Sequence, residues 1–265
     1  MHAGVYYQPG SLKAEFCRLG VEETRQFCNE HAIPYRTTGK LLVAADESEL
    51  GRMRDLFSRC LDNGLEPAHL SAQELRAREP AVRGAGAILI KESGITDYPA
   101  ICKVMLNEFQ SRGGEVHLGL EVSALNEHTD GVKVNAGGQA FHTKQLTVCG
   151  GLQADRLARM QGLNIDFRIL PFRGEYFVLK PELSTLVKHL IYPIPDPALP
   201  FLGVHLTPTV ENTIKVGPHA VQGWKREGYR AVNISLRDTV ENLSWPGFWK
   251  LSTQHAGQGL KELRN

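Results

Sequence analysis

Apolar and polar positions follow one rhythm in the first part of the chain and another after about residue 165. From Leu12 to about His31, Leu12, Phe16, Leu19, Phe27 and Cys28 fall in a rough helical stripe behind Ser11, a suitable N-cap. The run Gly39-Lys40-Leu41-Leu42-Val43-Ala44-Ala45 reads as a buried strand. Asp46-x-x-Glu49 resembles a capping box and predicts a second helix ending near Leu61. Ser71-x-x-Glu74 starts a short third helix that Pro80 stops, and Ala87-Ile88-Leu89-Ile90 forms a short strand. Asp97 and Pro99 open another helix, with Ile101, Val104, Met105 and Phe109 at helical spacing, and Gly113-Gly114 closes it.

Alternation then takes over, through Val116, Leu118, Leu120 and Val122 and again at Val132 and Val134, with a hairpin turn expected at Ala136-Gly137-Gly138. Leu146-Thr147-Val148-Cys149-Gly150-Gly151 reads as a strand running into glycines, followed by a helix. From about Ile165 strands dominate, and Pro193, Pro195, Pro197, Pro200 and Pro208 mark edge strands and loops of a largely antiparallel sheet. The expected fold class is therefore α/β in an α+β mixture, βα segments first and a strand-rich part second.

Composition narrows the function classes. Hydrophobic residues at 42% and charged residues at 22% fit a globular domain, and 265 residues allow one large domain or two small ones. Lys+Arg 30 against Asp+Glu 29 gives a net charge of +1, with no pointer to nucleic acid. No apolar run approaches the roughly 20 residues of a membrane span, and no signal-peptide core is visible. Cys17, Cys28, Cys60, Cys102 and Cys149 include no CxxC pair, so they read as buried free thiols of a reducing compartment, and no metal site is expected.

Each candidate motif has a plain alternative. Gly84-Ala85-Gly86 precedes its strand and has no third glycine, so it is no phosphate loop. Val148-Cys149-Gly150-Gly151 has the better context, though a tight turn is the commoner explanation. Tyr6 and Tyr7 read as packing residues. Arg173, in Pro171-Phe172-Arg173-Gly174-Glu175-Tyr176, is either part of an ion-paired surface turn or a fork for a substrate carboxylate. His205 is either packed in its strand or a proton acceptor, for which a near-neutral pKa suits it. Lys225-Arg226 is either a solvated basic pair or an anion clamp.

Four runs resemble the L-2-hydroxyglutarate oxidase/dehydrogenase family, within the D-amino-acid-oxidase-like group of FAD enzymes. They are His2-Ala3-Gly4-Val5-Tyr6-Tyr7, the Arg173-Gly174-Glu175-Tyr176 run, Tyr192-Pro193-Ile194-Pro195-Asp196 with Phe201-Leu202-Gly203-Val204-His205, and Gly217-Pro218-His219-Ala220-Val221 with Lys225-Arg226-Glu227-Gly228-Tyr229. His219 departs from the family's usual asparagine. The resemblance implies a partial FAD-binding Rossmann-like domain (1–36 and 97–163) interleaved with a largely antiparallel substrate domain (37–96 and 164–265). It implies FAD against His2, Ala3, Gly4, Val122, Gly150 and Gly151. It also implies a catalytic base at His205, with His2 as alternative, and a small dicarboxylate held by Arg173, Tyr192, Lys225 and Arg226. The implied reaction is oxidation of L-2-hydroxyglutarate to 2-oxoglutarate, with oxygen or a membrane quinone as final acceptor. The implied place is the cytoplasm, with peripheral contact at the inner membrane left open. Compared with such a family member, the chain is expected to be truncated at both ends, lacking the first βαβ unit, and to fold poorly and bind FAD weakly or not at all. Two alternatives stay open: an inactive fragment without flavin, and a related flavin oxidase acting on an amine or glycerol phosphate.

Overall fold

The computed structural model describes residues 1–197, 203–230 and 232–254, and the motif residues Phe201 and Leu202 lie outside them. The fold is mixed α/β and divides into two compact units. One comprises Met1–Gly113 and Gly174–His219, the other Gly114–Arg173 and Ala220–Asn265. Among the described residues no helix is long and apolar enough to cross a membrane.

In the first unit, α1 (Leu12–Glu30) starts where Ser11 accepts a hydrogen bond from the Ala14 amide, as the pattern predicts. After β1 (Tyr35–Arg36) and β2 (Lys40–Ala44), Asp46 caps a 3₁₀ turn that leads into α2 (Leu50–Asp62). β3 (Ala68–Ser71) runs into α3 (Ala72–Arg78), where Ser71 and Glu74 form the complete capping box. β4 (Gly86–Ile90), β5 (Ile95–Thr96) and α4 (Tyr98–Ser111) follow, the helix opened by Asp97 with Pro99 in its first turn.

In the second unit, β6 (Val122–His128), β7 (Gly131–Ala136) and β8 (Gln139–Thr143) form an antiparallel meander. The expected alternation begins only at Val122, and residues 145–150 form no strand. Among the described residues nothing pairs with that stretch, so its apolar Leu146 and Val148 stay exposed instead of entering a ladder. Past Gly150 and Gly151 the chain enters α5 (Ala154–Met160).

β9 (Phe172–Val178), β10 (Leu190–Pro193), β11 (His205–Pro208) and β12 (Ile214–Gln222) supply the strand-rich part. The helices α6 (Leu236–Leu243) and α7 (Pro246–Gln254) complete the second unit. The sheet of the first unit runs β3-β4-β2-β10-β11-β12-β9. Its β2–β10 pairing is parallel, so the antiparallel expectation holds for its neighbours but not at the centre.

β2 is buried on both faces. Leu42 and Ala44 join Ile88, Ile90, Leu190 and Tyr192 in one core with Ala3, Val21, Met53 and Leu56. Leu41 and Val43 join Ala87, Leu89, Ile191 and Ile214 in the other. Each fully buried Leu or Ile here contributes about 1.5–3 kcal/mol relative to exposure. The thiols divide: Cys28 and Cys60 are buried and Cys17 half-buried, while Cys102 and Cys149 are exposed, against the expectation of general burial.

Candidate active site

The first unit gathers His2, Lys40, Tyr6, Tyr192 and His205 in one place. The N-terminal segment is fixed from two sides. The Asn63 side chain donates to the carbonyls of Gly4 and Tyr7 at 3.2 and 3.0 Å, and the Gly94 amide donates to the Met1 carbonyl. Gly4 has φ +87°, and a Cβ there would lie 3.1 Å from Cys17 Cβ and 3.2 Å from the Ala14 carbonyl oxygen. Its freedom therefore lets the segment pass close to α1. Ala3 is buried beside it, and His2, exposed as a residue, turns its ring Nδ1 inward to the buried Lys40.

Beneath His2 lies Lys40. Its register on β2 pairs it with Ile90 and Leu190, and its side chain is only 1% exposed. The ammonium Nζ is 3.2 Å from His2 Nδ1, 4.2 Å from the Tyr192 ring centroid and 5.2 Å from that of Tyr6. Burial pushes the Lys40 ammonium down to about 8. Burial, and then the Lys40 charge, hold the His2 imidazole near 4. His2 is thus neutral at physiological pH and accepts from the ammonium. Burial raises the Tyr6 hydroxyl far above its ordinary range, and its oxygen has no hydrogen-bond partner among the described residues.

His205 stacks on Tyr192, with ring centroids 3.9 Å apart and planes 14° from parallel, and Tyr176 meets it edge-on at 6.2 Å. His205 Nδ1 lies 3.0 Å from the Gly203 carbonyl oxygen, an acceptor only, so Nδ1 carries the proton and Nε2 is the free lone pair. Burial lowers the imidazole from 6.5; the Gly203 bond opposes this and the Lys40 charge adds to it. At neutral pH His205 is therefore a free base. It opens onto a cleft of about 520 Å³ lined with Tyr176, Val178, Tyr192, Thr207 and Lys215.

The remaining expected residues belong to the second unit. Arg226 is buried, its fork closed on Asp155, with Nη2 to Oδ2 at 2.9 Å. Burial would raise the Asp155 carboxyl, but the Arg226 and backbone hydrogen bonds bring it down to about 2. Around this pair Arg156 bridges Asp238 and Glu241, a network tying α5 to α6. Lys225 is exposed, and Arg173 donates to the Arg230 carbonyl. Val122 is half-buried at the start of β6, next to a register shift. Gly151 has φ +51° and open space where a Cβ would stand, whereas a Cβ on Gly150 would meet Leu157 at 2.3 Å.

Sequence reasoning missed Lys40, Thr207, Tyr176 and Lys215. A signal for Lys40 was present, since a lone lysine inside an apolar strand run has no business in a core without a chemical reason. Lys215 and Thr207 carried no such mark.

Comparison with known proteins gives the lineage. A family model described as FAD dependent oxidoreductase matches residues 1–259. L-2-hydroxyglutarate dehydrogenase of Escherichia coli (strain K12) is 49% identical over 267 residues, covering 100% of this chain and 63% of that protein. The mitochondrial L-2-hydroxyglutarate dehydrogenase of Caenorhabditis elegans is 41% identical over 269 residues, covering 99% and 62%. The chain thus spans less than two thirds of the length of these relatives. Among solved structures, the FAD-bound L-alpha-glycerophosphate oxidase of Mycoplasma pneumoniae superposes with a TM-score of 0.76 at 23% identity, covering 88% of this chain and 62% of that one. Glycine oxidase of Geobacillus kaustophilus gives 0.73 at 16%, covering 91% and 64%, and both likenesses establish the fold alone. On the family match and the identity to its relatives, this chain belongs to the family of FAD-dependent oxidoreductases.

Proposed function

We propose that this chain takes part in the FAD-dependent oxidation of L-2-hydroxyglutarate to 2-oxoglutarate. The observation that carries the reading is His205, a neutral imidazole with its tautomer fixed by Gly203 and its free Nε2 beside a cleft that Lys215 also lines. The identity with proteins named L-2-hydroxyglutarate dehydrogenase supports the choice of substrate.

One feature fits the flavin. Gly151 leaves open backbone at the head of α5, beside exposed apolar Val148 and Leu152, a surface suited to a flat heteroaromatic. His2, Ala3, Gly4, Val122, Gly150 and Gly151 would hold it, the segments 1–36 and 97–163 serving flavin and 37–96 and 164–265 serving substrate. Bound FAD would supply the two-electron, hydride-accepting chemistry.

The protein's own part is proton transfer and positioning. His205 Nε2 takes the proton of the C2 hydroxyl as C2 becomes a carbonyl carbon, and the Gly203 carbonyl steadies the imidazolium through Nδ1. Tyr192 holds the imidazole plane by stacking and anchors its own hydroxyl on Thr207. His2 is the second basic nitrogen of the site. Arg173 and Lys225 are further candidates for the substrate carboxylates; Arg226, committed to Asp155, is left to structure. Oxygen or a membrane quinone would reoxidise the flavin, and the working place would be the cytoplasm or its membrane surface.

The test is the visible spectrum of the purified chain with FAD. Flavin bands that follow the protein and bleach with L-2-hydroxyglutarate, and not with glycine or glycerol 3-phosphate, are the expected result. A chain that remains colourless, or that bleaches only with the amine or the phosphate ester, overturns the reading.

A further inference from the structure

Lys40 is a charged group in a core position without an anion among the described residues. A buried ammonium is costly unless paired, and among the described residues its one hydrogen-bond partner is the neutral His2 ring. The faces of Tyr6 and Tyr192 compensate it in part. The Tyr6 hydroxyl is also buried, with nothing to donate to among the described residues. An ammonium held by a single hydrogen bond and a hydroxyl without a partner among the described residues therefore lie in one place, with Nζ 5.2 Å from the Tyr6 ring centroid. Native interiors rarely leave such groups unmet.

The register adds direction. Lys40 lies opposite Leu190, and Thr207 opposite Lys215; with Ile191 opposite Leu206, the antiparallel ladder brings Leu190 opposite Thr207. Lys40, Leu190, Thr207 and Lys215 thus form one row across four strands. Its ends lie about 14 Å apart at the backbone, at about 4.8 Å per strand. Tyr192 and His205 form the neighbouring row, stacked between those ends. Side chains in one row share a face of the sheet, so a cation stands on either side of the base.

We propose that Lys40 and Tyr6 form the receptor for one carboxylate of the substrate, with His2 occupying the place until the acid arrives and Lys215 taking the second carboxylate at the rim. The assignment rests on the reading that this cleft binds a 2-hydroxy dicarboxylic acid, and it makes Lys40 the residue that selects for acids. The carboxylate accepts from the Lys40 ammonium and the Tyr6 hydroxyl, giving the ammonium an anion and the hydroxyl its missing partner.

Calorimetric titration of the 265-residue chain with glutarate, a non-reacting dicarboxylate, tests this. Wild type binds glutarate, and acetate more weakly. Lys40→Met weakens glutarate about tenfold or more, the size expected for a lost charge-assisted bond. Its melting temperature without ligand equals or exceeds that of wild type, because an unpaired buried charge has been removed. Tyr6→Phe weakens binding by a smaller factor. Should Lys40→Met fail to fold, lysine-labelled wild-type protein gives the answer by NMR, where the Lys40 side-chain signals shift along the glutarate binding curve. No glutarate binding by wild type, unchanged affinity in a folded Lys40→Met, or Lys40 signals that stay in place at saturation overturns the proposal. Flavin bleaching separates it from the parent reading. Lys40-dependent glutarate binding without turnover of L-2-hydroxyglutarate sinks the proposed reaction and leaves this receptor standing. Turnover with unaltered KM in Lys40→Met does the reverse.

Discussion

Arg226→Ala separates a structural arginine from a substrate clamp. The guanidinium donates to both Asp155 oxygens and, at 2.6 Å, to the Leu152 carbonyl. Truncating it strands Asp155, which is 0% exposed. Removing one partner of a buried pair costs about 3–5 kcal/mol. Asp155 keeps the Arg156 and Ile169 amides at 2.9 and 3.2 Å, and Arg159 at 3.4 Å, so the lower end, about 3 kcal/mol, is expected. Burial opposes the Asp155 charge, but the Arg226 bonds and the Ile169 and Arg156 amides together bring the carboxyl from 3.8 to about 2, a net of about 2 kcal/mol at ~1.36 kcal/mol per pKa unit. Because the folded value is the depressed one, this stabilisation is present above about pH 4 and fades as pH falls towards 2. The gap between wild type and variant should close over the same window. The assay is urea unfolding followed by tryptophan fluorescence, since Trp224, Trp245 and Trp249 all belong to the second unit. A loss below about 1 kcal/mol at pH 7, or a gap that stays constant down to pH 2, would refute the reasoning.

Other expectations follow from the first unit. His205→Asn should cut flavin reduction by L-2-hydroxyglutarate about 10²–10⁴-fold with the melting curve unchanged. In wild type the acid limb of kcat/KM should lie below the ordinary histidine value of 6.5, since burial lowers His205; a limb above it contradicts the assignment. Glu79, 1% exposed, accepts from the Lys188 and His189 amides at 2.8 Å each, so Glu79→Ala should cost about 3 kcal/mol by far-UV circular dichroism melts. Burial opposes the Glu79 charge but the His189 and amide bonds prevail and hold the carboxyl below 4.5, so that contribution should be complete above this pH and decline below it. Ser71→Ala removes the capping box of α3 and should lower stability by about 1 kcal/mol in urea titrations; no change would mean the helix is held by Leu75 alone.

Local structure was legible where one residue decides it. Ser11, Asp46, Ser71 and Asp97 mark helix starts because a side-chain oxygen meets an orphan amide within three residues, and all four do so here. The stretch 146–151 misled because an apolar run specifies a strand only if a partner ladder exists, and no local pattern announces the partner. The same limit governed the site. His2, Tyr192 and His205 were legible through their motifs, yet what joins them is Lys40, brought in by strands paired across some 150 residues of sequence. Arg226 carried the same motif signal but answers to Asp155, 71 residues away, a partner no spacing rule points to.

The parity of β2 has a consequence for how this region tolerates insertions and deletions. Successive residues of that strand alternate between two separate cores, so one residue gained or lost between Arg36 and Lys40 would exchange their entire contents. Leu41 and Val43 would turn to the side of Tyr192, and the lysine to the interior beneath Ile191. A one-residue change in this connection is then a loss of function and of folding at once. An insertion at the turn Gly137-Gly138 displaces only a hairpin tip. Length variation in this lineage should therefore collect in the meander and be absent ahead of β2.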